Sequence, residues 1–220
     1  MKRTCIGLLH GLYQNKTVFA AKSKALQAAL PSRTTLLEYF DGPLAVTPAI
    51  LKNPPRGVRP KARAQSSARD YRAWWDPDGG GDSDAEAETA LLQVVQSLRE
   101  AKVDGLVGFS QGGMLAALLC SHKAHELTGW IPKFVVVCNA YQSERISHQE
   151  FFRSGINPNV PSLHIAGLKD QIVKSHRSRS LSELFHNPGY VENKAGHHFP
   201  SDEGTLHEIV HFLQSIRGDS

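Results

Sequence analysis

The chain contains 220 residues, of which 40% are hydrophobic and 21% are charged, and its formal net charge is +4 at pH 7. This composition is typical of a globular protein, and the length predicts one domain over residues 1–220. No apolar run reaches the roughly 18 residues that a membrane span requires, so none is predicted. An odd number of cysteines in apolar segments favours reduced thiols in a cytoplasmic protein over a disulfide framework (Cys5, Cys120 and Cys138).

Short apolar segments rich in β-branched residues alternate with helical patterns along the chain. The predicted strands are 4–9, 34–39, 103–109, 133–138, 161–166 and 189–193. The predicted helices lie near 15–30, 84–101, 111–124, 173–186 and 203–217. Because the strands are apolar on both faces, the pattern predicts an α/β fold with a mostly parallel sheet of about six strands and helices on both faces.

The first predicted strand, 4–9, starts just after a charged N-terminus and ends at His10-Gly11. Its apolar run is too short for a signal peptide, and no small-residue cleavage pattern follows it. We therefore interpret this segment as a core strand. We expect His10 to order the loop that follows.

Residues 41–83 interrupt the alternation of strands and helices. This long loop or insertion is rich in proline, ends near three successive glycines and shows no hydrophobic periodicity. A connection of this length is either functional or disordered. We expect a mobile, basic, Pro-rich part at 52–68 and an anchored aromatic part at 70–76. The aromatic side chains of the second part either pack at the sheet edge or line a site (Tyr71, Trp74 and Trp75).

The positive charge is concentrated in the same segment. Basic residues crowd 52–72, and acidic residues follow directly at 76–88. Adjacent blocks of opposite charge are typical of a solvated, self-compensating loop rather than of a phosphate-binding face. The sequence therefore predicts no nucleic-acid partner.

The segment Gly108-Phe109-Ser110-Gln111-Gly112 lies between the third predicted strand and a helix-forming stretch. Strand, Gly-x-Ser-x-Gly and helix in this order are the context of a nucleophile elbow. The turn is so sharp that the serine adopts a strained backbone conformation, and the flanking glycines avoid collisions. Ser110 is therefore the candidate nucleophile, and the N–H of Gln111 is the first candidate donor of an oxyanion hole.

A second oxyanion donor is expected from the loop after the first strand. Leu12 is the preferred residue in that loop, and Tyr13 is the neighbouring alternative. A His10-Gly11 pair alone would indicate only a turn, but the presence of Ser110 favours the catalytic interpretation.

In hydrolases built on such a sheet, the acid and then the base follow the serine along the chain, each just past the end of a strand. Asp170 lies four residues beyond strand 161–166 and is the preferred acid. An aspartate that caps the next helix is the alternative interpretation of Asp170. Glu144, after strand 133–138, is the fallback acid.

The base is expected in the loop after strand 189–193, where Gly196-His197-His198-Phe199-Pro200 occurs. Adjacent side chains on an extended loop point in opposite directions, so only one histidine can reach Ser110. We prefer His197 and keep His198 as the alternative. A metal site is not predicted, because no Cys or His spacing supplies four ligands.

These motifs together resemble the FSH family of serine hydrolases, which includes the ovarian tumour-suppressor-candidate hydrolases. The matching stretches span nearly the whole chain: 8–11 with Gln14-Asn15 and Phe19, 41–43, 72–75, 108–113, 161–167 with Asp170, and 196–200. The resemblance implies an α/β-hydrolase fold without the usual first two strands, carboxylic-ester hydrolysis, often on acyl chains, and no cofactor. It also implies His197 as the base, since the family's histidine stands three residues before a proline, here Pro200.

The chain departs from the family pattern at two places. Asn139-Ala140-Tyr141 replaces a Ser-Gly-Phe-like turn, and the basic insertion at 52–68 is unusual. These departures concern the shape of the acyl pocket and the route by which substrate enters. Four aromatic residues are the candidates for lining the substrate site (Tyr13, Trp74, Tyr141 and Phe199).

The leading hypothesis is a serine carboxylesterase that acts on a small-molecule or lipid-like acyl ester through Ser110, His197 and Asp170. A thioesterase acting on acylated proteins or acyl carriers is the alternative within the enzyme class. A non-catalytic interaction module that uses the aromatic and basic loop is the alternative from another class. The sequence leaves the oligomeric state open.

Overall fold

A computed structural model describes residues 3–46, 70–76 and 84–216, without the side chains of 84–86. The predicted mobile segment 52–68 lies outside these ranges. The strands within them are β1 (Thr4–Leu9), β2 (Thr35–Phe40), β3 (Leu44–Val46), β4 (Tyr71–Ala73), β5 (Gly105–Phe109), β6 (Val135–Cys138), β7 (Ser162–Gly167) and β8 (Gly189–Asn193). The helices are α1 (Lys16–Lys22), α2 (Lys24–Ala29), α3 (Asp84–Glu100), α4 (Gln111–Leu118), α5 (His122–Thr128), α6 (Ile146–Arg153), α7 (Ser175–Ser182) and α8 (Glu203–Ser215).

Six strands form the main sheet, in the order β2-β1-β5-β6-β7-β8, and every neighbouring pair is parallel. The predicted mostly parallel sheet of about six strands is confirmed, and each observed strand starts or ends within two residues of its prediction. The carboxyl ends of parallel strands meet at one edge, so the loops after β1, β5, β6, β7 and β8 converge there.

Helices cover both faces of this sheet, as predicted. Successive side chains of a strand alternate between two buried clusters, as Cys5 and Ile6 do on β1. The first cluster includes apolar side chains of α3, α4 and α6, and the second includes those of α1, α2 and α8. Burial on both faces explains why the central strands are continuous apolar runs.

Three details of the helices differ from the prediction. The predicted helix 15–30 is divided at Ser23, whose Oγ donates to the Phe19 carbonyl and shares a hydrogen bond with the Tyr39 hydroxyl. The predicted helix 111–124 is divided at Ser121, which caps α5 by accepting from the N–H of Ala124. Helix α6 was not predicted, because two of its four buried side chains are polar and no apolar periodicity marks it (Ser147, His148, Phe151 and Phe152).

The structure also places two strands inside the segment expected to be a long loop. β3 and β4 pair in antiparallel fashion, with Leu44 opposite Ala73. β4 then joins the loop after β1, since the Arg72 N–H donates to the Gln14 carbonyl at 2.8 Å. Strands of three residues are too short for an alternation to be recognised in the sequence. This pairing anchors residues 70–76 beside the candidate site.

Two histidines are buried away from the candidate triad. His164 lies on β7 and His148 lies on α6, with relative exposures of 1% and 6%. Burial lowers the pKa of His164 to about 3, and burial together with the nearby Arg145 lowers the pKa of His148 to about 4. Both imidazoles are therefore neutral in the folded protein at pH values where an unfolded chain would protonate them.

We expect the free energy of unfolding to fall as the pH is lowered from about 6.5 towards 4, because over that range these two histidines gain protons mainly in the unfolded state. Substitution H164L removes one of these groups. It should reduce the loss of stability between pH 7 and pH 5 by about 2 kcal/mol. Urea unfolding at both pH values measures this difference, with H211Q at an exposed position as the control. An unchanged pH dependence in H164L would contradict the assignment.

Candidate active site

The turn between β5 and α4 carries Ser110 in the conformation expected of a nucleophile elbow. Its φ is 53° and its ψ is −119°, a strained combination for a residue with a side chain. A Cβ on Gly112 would lie 2.2 Å from the Leu9 carbonyl oxygen, and a Cβ on Gly108 would lie 2.3 Å from the Gly112 oxygen. Both positions therefore require glycine.

The structure brings Ser110, His197 and Asp170 into one hydrogen-bonded chain at the carboxyl edge of the sheet. The Ser110 Oγ is 3.0 Å from His197 Nε2, and His197 Nδ1 is 2.6 Å from Asp170 Oδ2. The side chain of Asp170 is fully buried, whereas that of His197 is 15% exposed. This is the geometry of a nucleophile, a base and an orienting acid.

Asp170 is held by more than its histidine partner. Its Oδ1 accepts the N–H groups of Ile172 and Val173, both at 2.8 Å. The carboxylate therefore holds a turn before α7 and contacts His197 at the same time, but it does not cap α7, whose N-cap residue is Lys174. The fallback acid, Glu144, is 78% exposed and pairs with Arg177 instead.

The two adjacent histidines have different environments. The ring of His197 lies 5.0 Å from the Phe109 ring, between Ser110 and Asp170. His198 is exposed and lines a separate cleft beside α8. The preferred histidine is thus the one that the structure places against the serine.

Among the described residues, two of the candidate oxyanion donors have unpaired backbone N–H groups. In the described part of the chain, the N–H groups of Leu12 and Gln111 donate to no protein acceptor. The Tyr13 N–H, the alternative donor, is engaged with the Arg72 carbonyl at 3.1 Å. Pairing with β4 therefore favours Leu12 over Tyr13.

His10 holds this loop in place, as expected. Its Nε2 accepts the Gly42 N–H at 2.9 Å, so its Nδ1 carries the proton and donates to the Gly11 carbonyl at 2.8 Å. Burial lowers the pKa of His10, which keeps the ring in this neutral tautomer. The indole N–H of Trp74 donates to the His10 carbonyl at 2.8 Å.

The side chain of Gln111 has a role that the sequence did not indicate. Its Oε1 accepts the Trp74 N–H and its Nε2 donates to the Trp75 carbonyl, both at 2.9 Å. The residue proposed to supply an oxyanion donor thus also holds the segment that follows β4. The sequence indicated only that the partner segment is anchored, since Trp74 and Trp75 stand in an otherwise aperiodic stretch.

The four candidate lining residues have different positions. Trp74 lines a cavity of about 620 Å³ between β3, α3, α4 and α6. Tyr141 lies in a second cleft, where the Arg177 guanidinium stacks 3.7 Å from its ring centroid. Tyr13 packs with β3 and β4, and Phe199 packs against Phe19 and Phe109, so these two side chains are largely buried.

Two further features concern metals and membranes. Among residues 3–46, 70–76 and 84–216, no cluster of three or more metal-binding side chains occurs. Within the same described ranges, no helix is both long and apolar enough to cross a membrane.

Comparison with known proteins identifies the family. The family model described as serine hydrolase (FSH1) matches residues 2–209. The chain belongs to the FSH1 serine hydrolase family. The prediction of an enzyme of the serine-hydrolase class is confirmed, and the interpretation as a non-catalytic module is not supported.

Relatives of this FSH1 family member include esterases. Esterase AGAP003155 of Anopheles gambiae is 29% identical over 209 residues, covering 94% of this chain and 75% of the relative. Esterase OVCA2 of Danio rerio is 27% identical over 220 residues, covering 95% and 96%. Acyl-protein thioesterase 2 of Zea mays has a similar structure, with a TM-score of 0.68 and 17% identity over 98% and 94% of the two chains. This structural likeness confirms the α/β-hydrolase fold.

Proposed function

We propose that this FSH1 family member is a carboxylesterase that cleaves acyl esters through a Ser110–His197–Asp170 triad. The observation that carries the proposal is the continuous hydrogen-bonded chain from Ser110 Oγ through both nitrogens of His197 to a buried carboxylate. A serine hydroxyl is a poor nucleophile without a base, and that base needs a partner that selects its tautomer. The three residues supply these functions in order.

The proposed reaction begins with the transfer of the Ser110 hydroxyl proton to His197 Nε2 as Oγ attacks the ester carbonyl carbon. The Asp170 carboxylate accepts the Nδ1–H, which leaves a lone pair on Nε2 and stabilises the imidazolium that forms. His197 then returns the proton to the departing alkoxide. Water, activated by the same imidazole, hydrolyses the acyl-enzyme and restores the serine.

The developing oxyanion would be bound by the N–H groups of Leu12 and Gln111. Leu12 lies on a loop held by the buried His10, and Gln111 is the first residue of α4, directly after Ser110, whose N–H donates to the Cys138 carbonyl. Preorganised donors stabilise the tetrahedral intermediate without reorganising during the reaction.

An apolar cavity beside α4, whose described lining includes neither Ser110 nor His197, is suited to an acyl chain. Its walls include Trp74, Leu115 and Phe151, and α4 begins at the proposed oxyanion donor Gln111. Apolar walls of this kind favour hydrocarbon over charged groups.

The cysteines support a cytoplasmic setting. Cys5, Cys120 and Cys138 are buried free thiols, and burial raises the pKa of each of them. Thiols kept protonated in the core are slow to oxidise, and disulfides are rare in the reducing cytosol.

Covalent labelling with a fluorophosphonate tests the proposal. The wild-type protein should gain one adduct, mapped to Ser110 by peptide mass spectrometry, and S110A should gain none. An unlabelled, folded wild-type protein would overturn the proposal. Hydrolysis of p-nitrophenyl esters of increasing chain length, run beside matched acyl-thioesters, then distinguishes an esterase from a thioesterase.

A further inference from the structure

Asn139 occupies an unusual position directly after β6. It is 2% exposed, and its φ of 47° lies in the left-handed region that asparagine tolerates better than most residues. Its backbone N–H donates to the Ile165 carbonyl at 2.8 Å. The preceding residue, Cys138, accepts the Ser110 N–H at 2.9 Å. Asn139 thus lies next to the point where the serine turn is fastened to the sheet.

The side chain of Asn139 reaches the loops that carry the other two members of the triad. Its Oδ1 accepts the Gly167 N–H at 2.9 Å, three residues before Asp170. Its Nδ2 donates to the carbonyls of His198 and Gly196, at 2.9 Å and 3.3 Å, on the two sides of His197. One amide therefore connects the acid loop to the base loop.

Only an amide satisfies these three partners together. The site presents one N–H and two carbonyl oxygens, and a primary amide offers one acceptor oxygen and two donor hydrogens. A carboxylate would oppose two carbonyl oxygens, and a serine hydroxyl could donate to only one of them. A bond between the loops themselves, from the Lys169 N–H to the Ala195 carbonyl, does not connect them to the serine turn.

We propose that Asn139 is a positioning residue that sets the His197 ring against Ser110 by holding the carbonyl groups on both sides of it. The proposal rests on the proposed triad function. Asn139 does not contact the reacting atoms. It acts through the backbone of 196–198, whose displacement would lengthen the hydrogen bond that the Ser110 Oγ donates to His197 Nε2.

Substitution N139G tests this role without opposing the backbone conformation, since glycine adopts a positive φ freely. We expect kcat for a p-nitrophenyl ester to fall by about 10- to 100-fold, with KM changed less than about threefold, because misplaced catalytic groups lower the rate rather than binding. The matched control is N187G. Asn187 has a φ of 48° but is exposed, and its side chain contacts only His186 among the described residues.

Substitution N139D adds a readout that a purely structural role would not change. The introduced carboxyl keeps the acceptor for Gly167, but when ionised it repels the carbonyls of Gly196 and His198. When protonated it can donate to one of them. The ratio of kcat in N139D to kcat in the wild type should therefore rise as the pH is lowered from 8 to 6.

The outcomes separate this inference from the proposed function. A loss of kcat in N139G with N187G unchanged supports the positioning role, as does a rising ratio in N139D. A kcat in N139G within threefold of the wild type, or an equal loss in N187G, overturns it. If circular dichroism shows that N139G is unfolded, the test is the ratio of kcat in N139D to kcat in the wild type. A ratio that does not change between pH 8 and pH 6 overturns the inference. Absence of fluorophosphonate labelling in the wild type would instead overturn the triad itself.

Discussion

Substitution H197A lowers kcat for ester hydrolysis by about 10⁴-fold or more, the loss expected when a triad loses its base. H198A, the adjacent control, should change kcat by less than about twofold, because the His198 imidazole contacts neither Ser110 nor Asp170 among the described residues. The His198 ring is exposed, and its bond to Asn139 uses the backbone carbonyl, which alanine retains. Steady-state kinetics on a p-nitrophenyl ester measure both. A comparable loss in H198A would contradict the assignment of the base.

A double variant makes this first prediction sharper. If Ser110 and His197 act as one unit, S110A alone should lose as much activity as S110A with H197A, because either change removes the same step. Additive losses would mean that the two residues act independently, and the proposed triad would then be wrong.

Substitution D170N lowers kcat by about 10⁴-fold while the fold is retained. The Oδ1 position accepts the N–H groups of Ile172 and Val173, so the asparagine oxygen should occupy it. The amide NH₂ then faces His197 Nδ1 and donates to it. That places the imidazole proton on Nε2, where it can no longer accept the Ser110 proton.

The matched control is D202N. Asp202 also caps backbone, accepting the Thr205 N–H at 2.9 Å, but it lies at the start of α8 and contacts no triad residue among those described. Thermal unfolding should remain cooperative in both variants, and kcat should fall only in D170N. A D170N enzyme within tenfold of the wild type would contradict the orienting role of Asp170.

Much of the sheet was predictable from the sequence because it depends on local pattern. β1, β5, β6 and β7 are buried on both faces, so each appears as a largely apolar run between helical segments, although β7 also includes Ser162 and His164. The broken helices were less predictable. The side chain of Ser23 bonds to the last turn of α1, and that of Ser121 caps the start of α5; the periodicity does not reveal these bonds.

The triad geometry was predictable to a similar degree, for a topological reason. Parallel strands bring the loops after β5, β7 and β8 to one edge, so chain order and distance past each strand restrict the acid and the base to a few residues. The structure brings Ser110, Asp170 and His197 together there. Their catalytic roles remain a prediction that the variants above will test.

The sequence by itself determined the elbow at Ser110, because a strand, the Gly-x-Ser-x-Gly spacing and a helix follow one another directly in the chain. Only the tertiary structure decided how the site is held. Three sets of hydrogen bonds join segments that lie tens of residues apart in the chain. They are the bond between Tyr13 and Arg72, the bonds of the Gln111 side chain to 74–75, and those of the Asn139 amide. Such hydrogen bonds depend on where folded strands end relative to one another, which no local pattern specifies.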